Sequence, residues 1–269
     1  MSNEAQAITK KRVVFHLPNE DSVIIRRDVA YRQSATGALT MDIYYPADFS
    51  AGARVPAVIF VSGYSDQGFQ RMLGCKLKEM ESYISWGMLT AASNLVGITY
   101  SAVDPVADVD ALLDFVKQNA GPLGIDSERI GIWACSGNAP NALSILMKKS
   151  NDQAKFGVLL YPYLLDLDGH TGTAESSKRF GFVNPCEGRT IEDLPANTPL
   201  FIIRAGRDEM PQLNETMDRF LSQSISSNLP IRFTNHPTAP HGFDLSDDSK
   251  VTHEIIASIL AFMRFHLLA

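Results

Sequence analysis

The amino-acid sequence predicts an α/β fold with a mostly parallel central sheet and helices on both faces. Three observations carry this. From residue 56 onward, short and continuously apolar runs alternate with segments of helical length, as parallel strands buried on both faces and joined by crossover helices do. Before them, DSVIIRRDVAYRQSATGALTMDIYYPADF alternates apolar and polar residues about a turn at Ala35-Thr36-Gly37, which predicts an antiparallel hairpin exposed on one face. The 269 residues are enough for one large buried core, and no repeat or low-complexity linker divides them. A single domain over 1–269 is expected.

After the hairpin, the expected core strands are AVIFVSG, MLTAASN, IGIWACS, FGVLLYP, PLFIIRAG and IRFTNHP. Helices are expected at roughly 68–85, 104–119, 138–149, 212–226 and 250–267. VADVDALLDFVKQNA carries its apolar residues at helical spacing and is stopped by Gly121-Pro122. Residues 165–198 break the alternation. A segment that long with little periodicity is a lid, a binding loop or a solvated excursion, and Phe180, Phe182, Val183 and Pro185 favour a lid-like insertion packed over a pocket.

Composition narrows the partners. With 45% hydrophobic and 20% charged residues the chain is ordinary globular protein. A net charge of −6 disfavours nucleic acid and anionic membranes. The longest apolar runs, VPAVIFV and FGVLLYPYLL, are short for a membrane span. Cys75, Cys135 and Cys186 cannot all pair and lack metal-ligand spacing, and MSNEAQAITKKRVVFH has no export signal, so the expected home is the cytoplasm. A homodimer is compatible with the sequence. No phosphate loop or dinucleotide fingerprint follows any strand, and no cofactor or metal is expected.

Ligands of parallel sheets bind at the carboxyl ends of the strands. AVIFVSG ends at Ser62-Gly63-Tyr64, IGIWACS at Ser136, PLFIIRAG runs into Arg207-Asp208-Glu209, and IRFTNHP into Pro240-His241-Gly242-Phe243-Asp244. Alone, such a serine is a helix cap, such an acid a turn residue and such a histidine a loop residue. Together, a serine, an acid and a histidine reach one rim of one sheet.

In these residues the chain resembles the α/β-hydrolase superfamily, on its carboxylesterase and dienelactone-hydrolase-like side. FVSGYSD stands at the oxyanion loop, GIDSERIGIWACSGNA at the nucleophile elbow, FIIRAGRDEMP at the acid turn and TAPHGFDL at the histidine loop. The chain order nucleophile, acid, histidine matches that fold. The resemblance implies Ser136 as nucleophile, His241 as its base and Asp208 as the acid that orients the imidazole. It implies the backbone N–H groups of Gly137 and Tyr64 as the oxyanion hole. Phe180 and Phe182 of the lid-like stretch, with Tyr64 of the oxyanion loop, are expected around the substrate. The G-x-S-x-G elbow here reads Ala134-Cys135-Ser136-Gly137-Asn138, so small Ala134 and larger Asn138 replace the two glycines. Pro140 falls in the first helical turn, where no hydrogen bond is lost.

Each assignment has a competitor. His236 precedes His241 by five residues and reads as a strand-end or surface histidine; Glu209 adjoins Asp208; His170 lies in the lid-like stretch; Cys135 adjoins the serine as a packing residue without a basic partner. The expected activity is hydrolysis of a carboxylic ester with a short acyl chain through an acyl-enzyme, acting on a small-molecule ester. The alternatives are a thioesterase, lactonase or peptidase with the same triad, or a hydrolase-fold binding or scaffold protein without turnover, which Asn138 keeps open.

Overall fold

β1 (Ile24–Ser34) and β2 (Gly37–Tyr45) form the antiparallel pair at one edge of an eight-stranded sheet. The computed structural model describes residues 8–35, 37–148 and 154–268, so Thr36 of the expected turn lies outside the described residues. Next come β3 (Val55–Phe60), β4 (Val96–Tyr100), β5 (Ile125–Cys135), β6 (Gly157–Leu160), β7 (Leu200–Ala205) and β8 (Ile231–His236). The spatial order is β1-β2-β4-β3-β5-β6-β7-β8. β2 joins β4 antiparallel, and every later pairing is parallel.

The apolar strands earn their continuous hydrophobicity by facing two cores. In β3, Ala57 and Ile59 belong to one apolar cluster while Val58 and Phe60 belong to the other. In β6, Leu159 divides from Val158 and Leu160 in the same way, and in β7 Ile202 divides from Phe201 and Ile203. This is the period-two alternation of a strand with both faces covered. One layer is closed by α3 (Pro105–Gln118), α5 (Ala139–Leu146) and α7 (Leu213–Ser226), the other by α2 (Glu81–Ala92) and α8 (Lys250–Leu268). α1 (Asp66–Leu73), the short α4 (Ala120–Leu123) and α6 (Gly172–Phe180) complete the helices of the described residues that bear on the site.

Caps follow the sequence. Ser65 accepts a hydrogen bond from the Gly68 N–H at 3.1 Å to open α1, and Asp104 accepts from Ala107 at 3.2 Å ahead of Pro105 in α3. Gly74, at φ +80°, closes α1.

Three expectations are corrected. MLTAASN is not a strand but the end of α2 and the turn after it; the strand is VGITY, entered after Asn94 at φ +65°. α2 is buried nearly all round, from Ser82 and Tyr83 through Trp86 and Leu89 to Ala92, and an apolar run without a polar face shows no helical period. The expected helix over 68–85 is two helices, separated by Gly74 and a 3₁₀ turn at Leu77–Glu79. IRFTNHP is an edge strand, exposed over most of its length, rather than one buried on both faces. β2, by contrast, is buried through both faces from Met41 to Tyr45, because the sheet continues beyond it.

Within 165–198, Asp166 accepts hydrogen bonds from the N–H groups of Thr173 and Ala174, both at 2.8 Å, and so anchors α6. Leu165, Leu167, Phe182, Cys186, Ile191 and Leu194 are buried in the core. α8 is long and apolar enough to cross a membrane by length and composition alone, yet Ile255, Ile256, Ile259, Phe262, Met263 and Leu267 are buried against the sheet, as in a core helix.

Candidate active site

β5 stops at Cys135, and the chain passes through a 3₁₀ turn at Ser136–Asn138 directly into α5. Ser136 takes φ +53°, a left-handed conformation that costs a non-glycine residue roughly 1–2 kcal/mol and is held only where surrounding contacts impose it. Those contacts are visible. The Tyr163 N–H donates to the Ser136 carbonyl at 3.2 Å, and Ala134 beneath the turn is fully buried. From the other side comes the loop after β3. A Cβ on Gly63 would lie 2.5 Å from the Gly137 carbonyl oxygen, so no other residue allows the loop backbone to press on the elbow this closely.

Asn138 sits where the elbow pattern has glycine, and its side chain holds the two loops together. Its Oδ1 accepts from the Gly63 N–H at 2.7 Å, and its Nδ2 donates to the Tyr83 hydroxyl and the Cys135 carbonyl, each at 3.0 Å. Asn141, one turn later, donates to the Ser62 carbonyl at 2.7 Å and the Pro105 carbonyl at 2.9 Å. Both asparagines are buried and use their amides on fixed partners. The Gly63 N–H is thus committed to Asn138. Gly137 stands at the start of a helical turn, where N–H groups lack intrahelical acceptors. The Tyr64 N–H meets the Ser62 hydroxyl at a long 3.2 Å.

Asp208 and His241 are brought together at the ends of β7 and β8. Asp208 Oδ2 lies 2.6 Å from His241 Nδ1, and Oδ1 accepts from the Met210 N–H at 2.9 Å. The Asp208 side chain is wholly buried while His241 is 30% exposed, so the carboxylate is fixed and the ring faces outward from it. Tyr161 packs its ring 4.7 Å from the imidazole. The competitors lie elsewhere. His236 is at the strand end as expected but is buried rather than superficial, with Nε2 at 3.2 Å from Thr252 Oγ1 and 3.0 Å from Asp247 Oδ2. Glu209 is exposed. His170 accepts from the Gly172 N–H within its own turn.

Ser136 and His241 line one cavity of about 260 Å³. Its walls are apolar: Tyr64, Phe69, Leu73, Met80, Phe180 and Met210. Phe182 is not among its lining residues, which corrects the expectation for that side chain. It is buried behind the elbow, where a Cβ on Gly137 would come within 2.5 Å of its ring, and stacks on Tyr163 at 5.3 Å. Cys135 lines the cavity beside the serine, and desolvation pushes its thiol up to about 12, far from the thiolate a nucleophile needs. The floor carries a carboxylate that the sequence reading passed over. Asp244 is buried and accepts from Trp86 Nε1 at 2.9 Å and the Tyr161 hydroxyl at 2.7 Å; burial raises its pKa against these hydrogen bonds. The only sequence signal for it is an acid at the close of the His-Gly-Phe-Asp run.

No protein-family model matches the chain, and no curated protein matches it. Solved structures do. A thermophilic esterase, Est2, from Thermogutta terrifontis superposes with a TM-score of 0.66 at 20% identity, over 93% of this chain and 95% of the esterase. An esterase from the fungus Rhizomucor miehei gives 0.69 at 17% identity, over 98% of this chain and 88% of the other. The Thermogutta esterase is also known phosphorylated by paraoxon, with a TM-score of 0.60 at 18% identity over 93% of this chain and 96% of that one. With its sheet order, two-sided core and strand-to-helix serine turn, this chain has the α/β-hydrolase fold.

Proposed function

We propose that the protein is a serine hydrolase of carboxylic esters that works through an acyl-enzyme. The observation that supports this best is the pairing of a strained Ser136 at φ +53° with an Asp208–His241 contact of 2.6 Å on one cavity. Asp208 accepts the Nδ1 proton, so Nε2 is the nitrogen free to take a proton from Ser136 Oγ. Oγ attacks the ester carbonyl, and the oxyanion is met by the N–H of Gly137 and by that of Tyr64, which turns from its long bond to Ser62. Collapse expels the alcohol with the proton held on Nε2. Water, deprotonated by the same nitrogen, then releases the acid. The esterase neighbours, and the covalent organophosphorus adduct of one of them, point the same way. Asn138 is compatible with turnover, since its amide braces the oxyanion loop.

The acyl group is short in this reading. The cavity is smaller than the roughly 300–1,000 Å³ usual for ligand pockets, and each buried methylene gains about 0.8 kcal/mol only while it remains under cover. A series of 4-nitrophenyl esters from two to sixteen carbons tests it. Catalytic efficiency should be highest for acetate to butyrate and fall toward decanoate, without activation at an interface. An optimum at ten carbons or more would contradict the reading.

A further inference from the structure

A second depression meets the apolar cavity at His241 and Met210. It is an open groove of about 510 Å³, lined by these two residues with Arg207, Glu209, Thr238 and Pro240, and Ser136 is not part of it. Resting on the hydrolase reading above, we infer that this groove receives the leaving alcohol and that the alcohol is a neutral polyol. The acyl carbon becomes bonded to Ser136 Oγ, and the apolar cavity that contains the serine suits the acyl chain. The breaking ester bond leaves its electron pair on the alcohol oxygen, which takes the proton from His241 Nε2. That oxygen therefore lies beside the imidazole, and the groove borders His241 without including Ser136.

The acid turn makes this wall. Asp208 points inward to His241, so its chain neighbours Arg207 and Glu209 project to the solvent side, and both are exposed. The Arg207 N–H donates to the Ala239 carbonyl at 2.8 Å, which ties the turn to the histidine loop and fixes the groove. Among the described residues neither side chain takes part in an ion pair or side-chain hydrogen bond, so both remain available. Arg207 supplies donors only, Glu209 acceptors only, and Thr238 both. An anionic alcohol would gain at the guanidinium and lose at the carboxylate, and a cationic one the reverse. An apolar alcohol would desolvate both charges without replacing their hydrogen bonds. Adjacent hydroxyls donate and accept, and satisfy the pair.

The test compares butyrate esters that differ only in the alcohol: glyceryl 1-monobutyrate, n-butyl butyrate, butyrylcholine and 3-butyryloxypropanoate. The whole chain should hydrolyse the glyceryl ester with a kcat/KM about five- to tenfold above the other three, the range that one or two solvent-exposed hydrogen bonds support. In Arg207→Ala, Glu209→Gln and Thr238→Val the ratio of glyceryl to n-butyl ester should fall toward one; reading a ratio within each variant removes differences in folding. A wild-type preference for the n-butyl or a charged ester, or a ratio unchanged in all three variants, overturns the inference. If the esters are turned over and a fluorophosphonate labels Ser136 but no alcohol is preferred, the polyol assignment alone fails. If no ester is hydrolysed and Ser136 is unlabelled, the hydrolase reading fails with it.

Discussion

Two histidines five residues apart, His236 and His241, have opposite surroundings. His241 meets one buried acid and a cavity, whereas His236 is locked between Thr252 and Asp247 at the end of β8. His241→Ala should lower kcat by roughly 10³-fold or more, as loss of a triad member does. His236→Ala should lower it less than about tenfold while costing roughly 1–3 kcal/mol of stability, because Asp247 and Thr252 lose a buried partner. Steady-state kinetics and urea unfolding of the two variants check this; a dead His236→Ala beside an active His241→Ala contradicts it. At this scale the sequence shows its strand-terminal residues well, because strand ends fix their position. It shows little of Asn138, Asn141 or Asp244, whose partners Gly63, Ser62 and Trp86 lie 75 to 158 residues away in the chain.

The 3₁₀ turn at Leu77–Glu79 shapes the cavity through a buried charge. Leu77 lines the cavity, and Lys78 turns the other way, its Nζ at 2.7 Å from Asp28 Oδ1 and 2.9 Å from Asp42 Oδ1. Asp28, at φ +56°, sits at an irregularity in the β1–β2 register, so the bulge delivers its carboxylate to the lysine. Burial alone would lower the Lys78 pKa, but the hydrogen bonds to Asp28 and Asp42 outweigh it and raise it. A lysine with a raised folded pKa contributes stability that is full below its unfolded value and lost as pH rises through the folded one. Lys78→Met should therefore destabilise the protein by about 3 kcal/mol at neutral pH, since Asp42 is left buried without its main cation. The wild type should lose stability above about pH 10.5, the ordinary lysine value, and the variant should lose less there. Urea midpoints at pH 7 and 11 check both; a variant as stable as the wild type at pH 7 contradicts the role given to the pair. Elements with a polar face, such as α3 and α7, are legible from their spacing, whereas α2 is hidden by its own burial.

Across the whole molecule, burial on both faces in β3, β6 and β7 is what makes the parallel sheet readable, and the exposed edge at β8 is where reading weakens. β8 has polar residues because one side of it is solvent, and nothing local to IRFTNHP distinguishes an edge from a centre. The same sheet carries Ser136, Asp208 and His241 to one rim from the ends of β5, β7 and β8, and a covalent probe reads that assembly without a substrate. The whole chain treated with a fluorophosphonate and digested should carry one adduct, on the peptide containing Ser136, and Ser136→Ala should carry none while keeping its fold. His241→Ala should slow the labelling, because the adduct needs an activated hydroxyl and not merely an accessible one. Labelling that persists at full rate in Ser136→Ala, or that falls on another residue, would contradict the assignment of Ser136 as the nucleophile.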